Sequence, residues 1–124
     1  MIENGAVQNP WIGITGQELS KDVALAMNLD ANQRGIQVVE VVANGPSAKT
    51  DLRGSNGQIT IDGFPFSVGG DVIIGIDDVV VDKFDDLLSY IVQDTEVGQT
   101  VTLTVLRDGK AVQVAITLEA RPTP

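Results

Sequence analysis

At 124 residues, with 43% hydrophobic and 20% charged positions, the chain has the length and balance of one folded domain, and neither wholesale disorder nor a membrane-protein composition fits it. Acidic residues outnumber basic ones by 17 to 8, a net charge of −9, which repels phosphate backbones and anionic lipids and argues against nucleic acid or a membrane surface as partner. With no cysteine and no histidine, disulfides, thiolate metal sites, the usual general base and the Ser-His-Asp triad are all unavailable.

No apolar run approaches the ~20 residues of a spanning helix, and Met1-Ile2-Glu3-Asn4-Gly5 lacks the basic and apolar regions of a signal peptide. Residues 1–10 read as a linker, with Pro10 biasing its predecessor toward extended backbone. Trp11 to Leu19 mixes β-branched and aromatic residues with two glycines, the pattern of a strand with a close backbone approach near its start. Ser20 offers an N-cap, and Val23, Ala24 and Met27 are spaced for the buried face of a short helix reaching Asn28.

Gly35 to Ala43 is a β-branched run interrupted by Gln37 and Glu40, best taken as a buried strand. Pro46 suits a first helical turn, so Ser47 to Leu52 predicts one or two helical turns before Gly54. Residues 54–70 are glycine-rich around Gln58-Ile59-Thr60-Ile61 and the turn signal Asp62-Gly63, which predicts an inserted loop or small hairpin, mobile or peripheral. Asp71 to Ile76 and Val79 to Val81 predict two short core strands about Asp77-Asp78.

The clearest helix starts at Asp82-Lys83-Phe84, where Phe84, Leu87, Leu88, Ile91 and Val92 recur at spacings of three and four and acids fill the first turn. Thr100 to Arg107 and Lys110 to Leu118 alternate about Asp108-Gly109, the sharpest hairpin signal in the chain. No element is expected beyond Leu118. The sum is an α+β fold: a β-sandwich or partly open barrel of five to six strands with two flanking helices and the insertion. One domain over 11–121 is expected, with a frayed tail at 122–124.

Little chemistry is on offer. The acids Asp77, Asp78, Asp82, Asp85 and Asp86 lack the spacing and central glycine of a calcium loop and read as a solvated turn and helix start. No serine stands in a Gly-x-Ser-x-Gly context, and the glycines fit no phosphate cradle, so neither catalysis, a metal nor a cofactor is expected of these residues. Trp11-Ile12-Gly13-Ile14 has two readings. It is an ordinary buried strand, or its unpaired backbone N–H groups receive an anion while Ile12 and Ile14 wall an apolar pocket.

A family resemblance favours the second. Trp11-Ile12-Gly13-Ile14, Arg34-Gly35-Ile36-Gln37-Val38, Asn44-Gly45-Pro46-Ser47-Ala48, Gly70-Asp71-Val72-Ile73, Phe84-Asp85-Asp86-Leu87 and Leu106-Arg107-Asp108-Gly109-Lys110 occur in an order and spacing that resembles a PDZ domain of the HtrA (Deg) class of trypsin-like serine proteases. Each piece is weak alone; the ordered set spans nearly the whole domain.

The resemblance implies that Trp11, Ile12, Gly13 and Ile14 form a loop whose amides hold a ligand's terminal carboxylate. The ligand would add as a strand beside Ile14, Thr15 and Gly16, with Leu88, Ile91 and Val92 on the helix completing a pocket for an apolar last residue. It also implies a partner protease domain ahead of these residues, a regulatory or substrate-recognition role, and a cell-envelope location. Two departures are the long insertion and the lack of a protease domain in the chain. The rival readings are a tethering or gating module of another envelope system, for which the insertion would cover the strand edge, and an autonomous enzyme, for which the chain would turn over a substrate.

Overall fold

The computed structural model describes residues 10–120. The expected linker over 1–9 and the expected tail over 122–124 lie outside the described residues.

The strand expected from Trp11 to Leu19 is two pieces, β1 (Pro10–Trp11) and β2 (Ile14–Glu18). Gly13 divides them, because its φ of 76° is a left-handed value that extended backbone does not take. Pro10, read as linker, is half of β1 and pairs with Ala120 in β10 (Glu119–Ala120), a strand not expected from the sequence. Helix α1 (Lys21–Ala26) starts at Ser20, whose Oγ accepts the Val23 N–H at 3.3 Å, and stops short of Asn28, which adopts φ 61°.

Strand β3 (Ile36–Val41) is followed by a single 3-10 turn (Ser47–Lys49) in place of the longer helix expected there. The insertion is a hairpin, β4 (Gly57–Ile61) and β5 (Phe64–Val68), turning on Asp62 and Gly63 at φ 51° and 85°. Two positive φ values fit a primed turn, whose twist matches that of the paired strands. Strands β6 (Val72–Ile76) and β7 (Val79–Val80), helix α2 (Phe84–Asp94) and the hairpin of β8 (Thr100–Arg107) and β9 (Lys110–Thr117) complete the chain.

The main sheet is antiparallel and runs β2-β3-β6-β8-β9 with β7 on β6; β1-β10 and β4-β5 are separate pairs. The path does not close on itself, so the α+β fold is built from open sheets. One face of this sheet buries Ile36, Val38, Ile73, Leu103, Val105 and Ile116 together with Leu87 and Ile91 of α2. Each such side chain contributes about 1.5–3 kcal/mol on burial. The expectation that Val79 to Val81 is all core is corrected: Val79 and Val80 are 39% and 70% exposed, and only Val81, beyond the turn, reaches the interior.

A part-buried ion pair fastens the start of β6 to the end of β8. Arg107 grips Asp71 with both arms, Nε to Oδ1 at 2.9 Å and Nη2 to Oδ2 at 2.8 Å, while Asp71 Oδ2 also accepts the Arg53 N–H at 3.0 Å. Bonding to Asp71 pushes the Arg107 guanidinium pKa upward.

Candidate functional site

The loop between β1 and β2 is held by its carbonyls. Ile12 O accepts the Ser47 N–H at 3.0 Å and Ser47 Oγ at 2.5 Å, and Gly13 O accepts the Val42 N–H at 2.9 Å. The 3-10 turn thus acts as a buttress, with Ser47 itself fully buried. With those carbonyls turned inward, the Ile12 and Gly13 N–H groups have no backbone acceptor among the described residues. Adjacent free N–H dipoles form a concavity suited to an anion.

Strand β2 lies at the end of the main sheet, so one edge is unpaired among the described residues. The contacts Val42 N–H to Gly13 O and Leu19 N–H to Gly35 O, with the pairs Ile14↔Val41 and Gln17↔Gln37, fix the alternation of the ladder. Thr15 and Gln17 turn their backbone groups toward β3. Those of Ile14, Gly16 and Glu18 face the free edge, so Thr15, expected to pair with a ligand, spends its own amide on β3. A Cβ at Gly16 would stand 2.8 Å from Ile36 Cγ2 and 3.1 Å from Gln37 O, so glycine there lets β2 lie close against β3, with the Phe84 ring 3.5 Å away in ordinary contact.

Helix α2 forms the opposite wall and runs antiparallel to β2. At one end the Phe84 N–H reaches Glu18 Oε2 at 3.4 Å; at the other, Ile91 and Val92 meet the loop. Asp86 caps the helix by accepting the N–H groups of Asp82 and Lys83 at 3.0 and 3.1 Å, which holds its carboxyl below the usual carboxylate range. Tyr90 donates its hydroxyl to Asp77 Oδ2 at 2.5 Å, and Asp77 Oδ1 accepts the Thr102 N–H at 2.9 Å, tying α2 to β8. These bonds give the acids at Asp77 and Asp86 structural employment, in keeping with their reading as a turn and helix start.

Between loop, strand and helix lies a cleft of about 80 Å³ lined by Pro10 to Ile14 and by Phe84, Leu87, Leu88, Ile91 and Val92. That is several times the ~10–15 Å³ a water needs, and no lining residue is charged. An anion at this mouth meets N–H dipoles and not a cation. The structure therefore brings together Trp11, Ile12, Gly13, Ile14, Leu88, Ile91 and Val92. Their exposures divide them: Leu88 and Val92 are 38% and 62% exposed, whereas Ile91 at 2% is the floor. Thr15 and Gly16 lie on the strand beside the cleft and do not line it.

Sequence reasoning missed Pro10 and Leu87 in the lining, Phe84 over Gly16, and the Ser47 buttress. Phe84 and Leu87 were visible in the apolar period of the helix; nothing in the sequence marked the pairing of Ser47 with a carbonyl 35 residues away.

A family model described as PDZ domain matches residues 10–118. The chain belongs to the PDZ domain family. Among curated relatives it is 34% identical over 119 residues to the periplasmic pH-dependent serine endoprotease DegQ of Escherichia coli K12, and equally to the periplasmic serine endoprotease DegP of that strain, covering 96% of this PDZ chain and 22% of each relative. It is 30% identical over 122 residues to a probable periplasmic serine endoprotease DegP-like of Brucella suis, covering 98% of the chain and 20% of that protein. The chain thus spans about a fifth of the length of these relatives and matches their PDZ part; their protease domain lies elsewhere in them. Among solved structures, the HtrA-type protease AlgW with decapeptide superposes with TM-score 0.72 at 26% identity, over 95% of this chain and 31% of that one. AlgW with tripeptide superposes with TM-score 0.73 at 27% identity, over 97% and 34%.

Proposed function

We propose that this PDZ domain captures the C-terminal ends of polypeptides by strand addition. The observation that carries the reading is the pair of unpartnered N–H groups at Ile12 and Gly13 standing at the head of both a free strand edge and an apolar cleft. A terminal carboxylate docks on those N–H groups, the ligand backbone pairs with Ile14 and Gly16 as a further antiparallel strand, and its last side chain enters the cleft between Leu88, Val92 and the Ile91 floor. An uncharged, apolar cleft selects an apolar last residue. Because an extended peptide is ordered on binding, affinity for any one short peptide is modest.

The periplasmic protease relatives support a context for this reading. The domain serves an HtrA-like serine endopeptidase in the cell envelope, presenting substrates to, or switching, a protease domain. Among the described residues no helix is long and apolar enough to cross a membrane. The rival reading, a tethering module, predicts that the insertion blocks the β2 edge. Against it, β4 and β5 pair with each other and not with β2.

Trp11 is the sole tryptophan and stands on the cleft wall, so its fluorescence reports occupancy. Peptides ending in free Val or Leu should shift it saturably while their C-terminally amidated twins do not; equal response to both would remove carboxylate capture.

A further inference from the structure

The two-residue strand β10 reaches the loop of the anion site by two routes. Its backbone pairs with β1 at Pro10↔Ala120 and Trp11↔Glu119. Proline has no N–H to give a ladder, so the pair that exchanges hydrogen bonds is Trp11 with Glu119. Pro10 and Trp11 line the cleft, and the next residue, Ile12, carries one of the two N–H groups of the anion site. The second route is a side chain: Glu119 Oε2 meets Lys49 Nζ at 2.5 Å. Lys49 ends the 3-10 turn whose first residue, Ser47, holds the Ile12 carbonyl through both its N–H and its hydroxyl. Trp11, Ile12, Ser47, Lys49 and Glu119 thus close a ring of contacts around the base of the loop. Beside it the Trp11 indole stands against Gly45, where a Cβ would lie 3.6 Å from Cζ2. Leu118, just before β10, is buried and bonded through both its N–H, to Gln99 O at 2.8 Å, and its carbonyl, to the Gly98 N–H at 2.9 Å, so Glu119 sets out from a fixed point.

We propose that Glu119 is a positioning residue for carboxylate binding: it holds β1 and the 3-10 turn at the separation that aims the Ile12 and Gly13 N–H groups into the cleft. This rests on the strand-addition reading, in which Glu119 itself touches no ligand, its backbone being spent on Trp11 and its carboxylate on Lys49. The two side chains of the ion pair are 64% and 36% exposed. Such a pair adds little to global stability, because ordering two long side chains costs entropy and water screens the charges. A hydrogen bond weakens steeply away from its axis, so the loop needs a fixed aim more than the fold needs the pair. The sign of the effect sets positioning apart from plain electrostatics. Glu119 is an anion beside a site for an anion, and by charge alone its neutralisation would tighten carboxylate binding. Positioning requires the opposite.

The test titrates a peptide ending in free Val, and its C-terminally amidated twin, against the wild-type domain, Glu119→Gln, and the exchanged pair Lys49→Glu with Glu119→Lys. Glu119→Gln should bind the free acid about two- to fivefold more weakly, the span of an exposed ion pair, with its thermal midpoint unchanged. The exchanged pair should regain wild-type affinity. The Glu119→Gln deficit should also shrink in about 1 M salt, where screening has already loosened the wild-type pair. Equal or tighter binding by Glu119→Gln, or a deficit that the exchanged pair does not restore, overturns the positioning role while leaving carboxylate capture intact. A Glu119→Gln protein that loses thermal stability and keeps its affinity assigns the pair to the fold alone and overturns it too. If the amidated peptide binds wild type as well as the free acid, carboxylate capture fails and the role of Glu119 fails with it.

Discussion

Gly13 packs against Pro46: a β-carbon at residue 13 would stand 3.0 Å from Pro46 Cδ, and Gly13 has φ 76°. Any side chain there meets both a steric wall and a left-handed backbone. Gly13→Val should therefore abolish binding of free-acid peptides and also destabilise the fold, by about 1–3 kcal/mol for a non-glycine residue held in that region. Thermal denaturation and peptide titration together check this. Wild-type stability with intact binding would show that the loop does not need its observed conformation.

Leu88 and Ile91 lie three residues apart on α2 and should respond differently. Leu88→Glu places an acid at a half-exposed cleft wall, so the domain should fold normally while affinity for apolar C-termini falls about tenfold, the effect of ~1–3 kcal/mol of unfavourable polar burial. Ile91→Ala opens the floor and should cost about 2–5 kcal/mol of stability. Calorimetry on the two variants separates wall from floor, and a Leu88→Glu protein binding as wild type would place the ligand's last side chain elsewhere.

The fold was legible wherever one pattern sufficed. The period of Phe84, Leu87, Leu88, Ile91 and Val92 marked α2, Asp108-Gly109 marked the β8-β9 turn, and Ser20 marked the start of α1. What escaped depended on partners distant in sequence. β10 exists because Glu119 and Ala120 find Pro10 and Trp11, and Val79 and Val80 are exposed because β7 is a two-residue stub beside a turn, despite their apolar character. For the site, Trp11-Ile12-Gly13-Ile14 advertised a special loop through its glycine. Only the tertiary contacts of Ser47 and Val42 reveal which carbonyls are occupied and hence which N–H groups are free. Gln37 looked like an interruption in a strand; its burial under the hairpin explains why a polar residue is there.

Asp71 is buried and its carboxylate serves Arg107 and the Arg53 backbone. Asp71→Ala should leave the part-exposed Arg107 without its buried partner and cost about 1.5–3 kcal/mol, the range of a hydrogen bond to a charged group, with Asp51 still within 3.3 Å of Arg107. Urea denaturation measures this. A loss near zero would mean that Asp51 replaces Asp71 fully.

Tyr90 is the only tyrosine, and its hydrogen bond to Asp77 pushes the phenol up to about 12 from the ordinary value near 10. Since the folded pKa is raised, the bond's contribution to stability is complete below about pH 10 and is lost as pH rises through about 12. Phenolate absorbance should show that late titration, and Asp77→Asn should return it toward 10. An unchanged midpoint in the variant would mean that Asp77 is not the cause.

The most direct test of the account is the amide NMR spectrum of the labelled domain with a peptide ending in free Val and with its amidated twin. Shifts are expected at Ile12, Gly13, Ile14 and Gly16 and along Leu88 and Val92 that appear with the free acid and vanish on amidation. Shifts that persist with the amidated peptide, or that fall on the β4-β5 hairpin and leave the loop untouched, would contradict it.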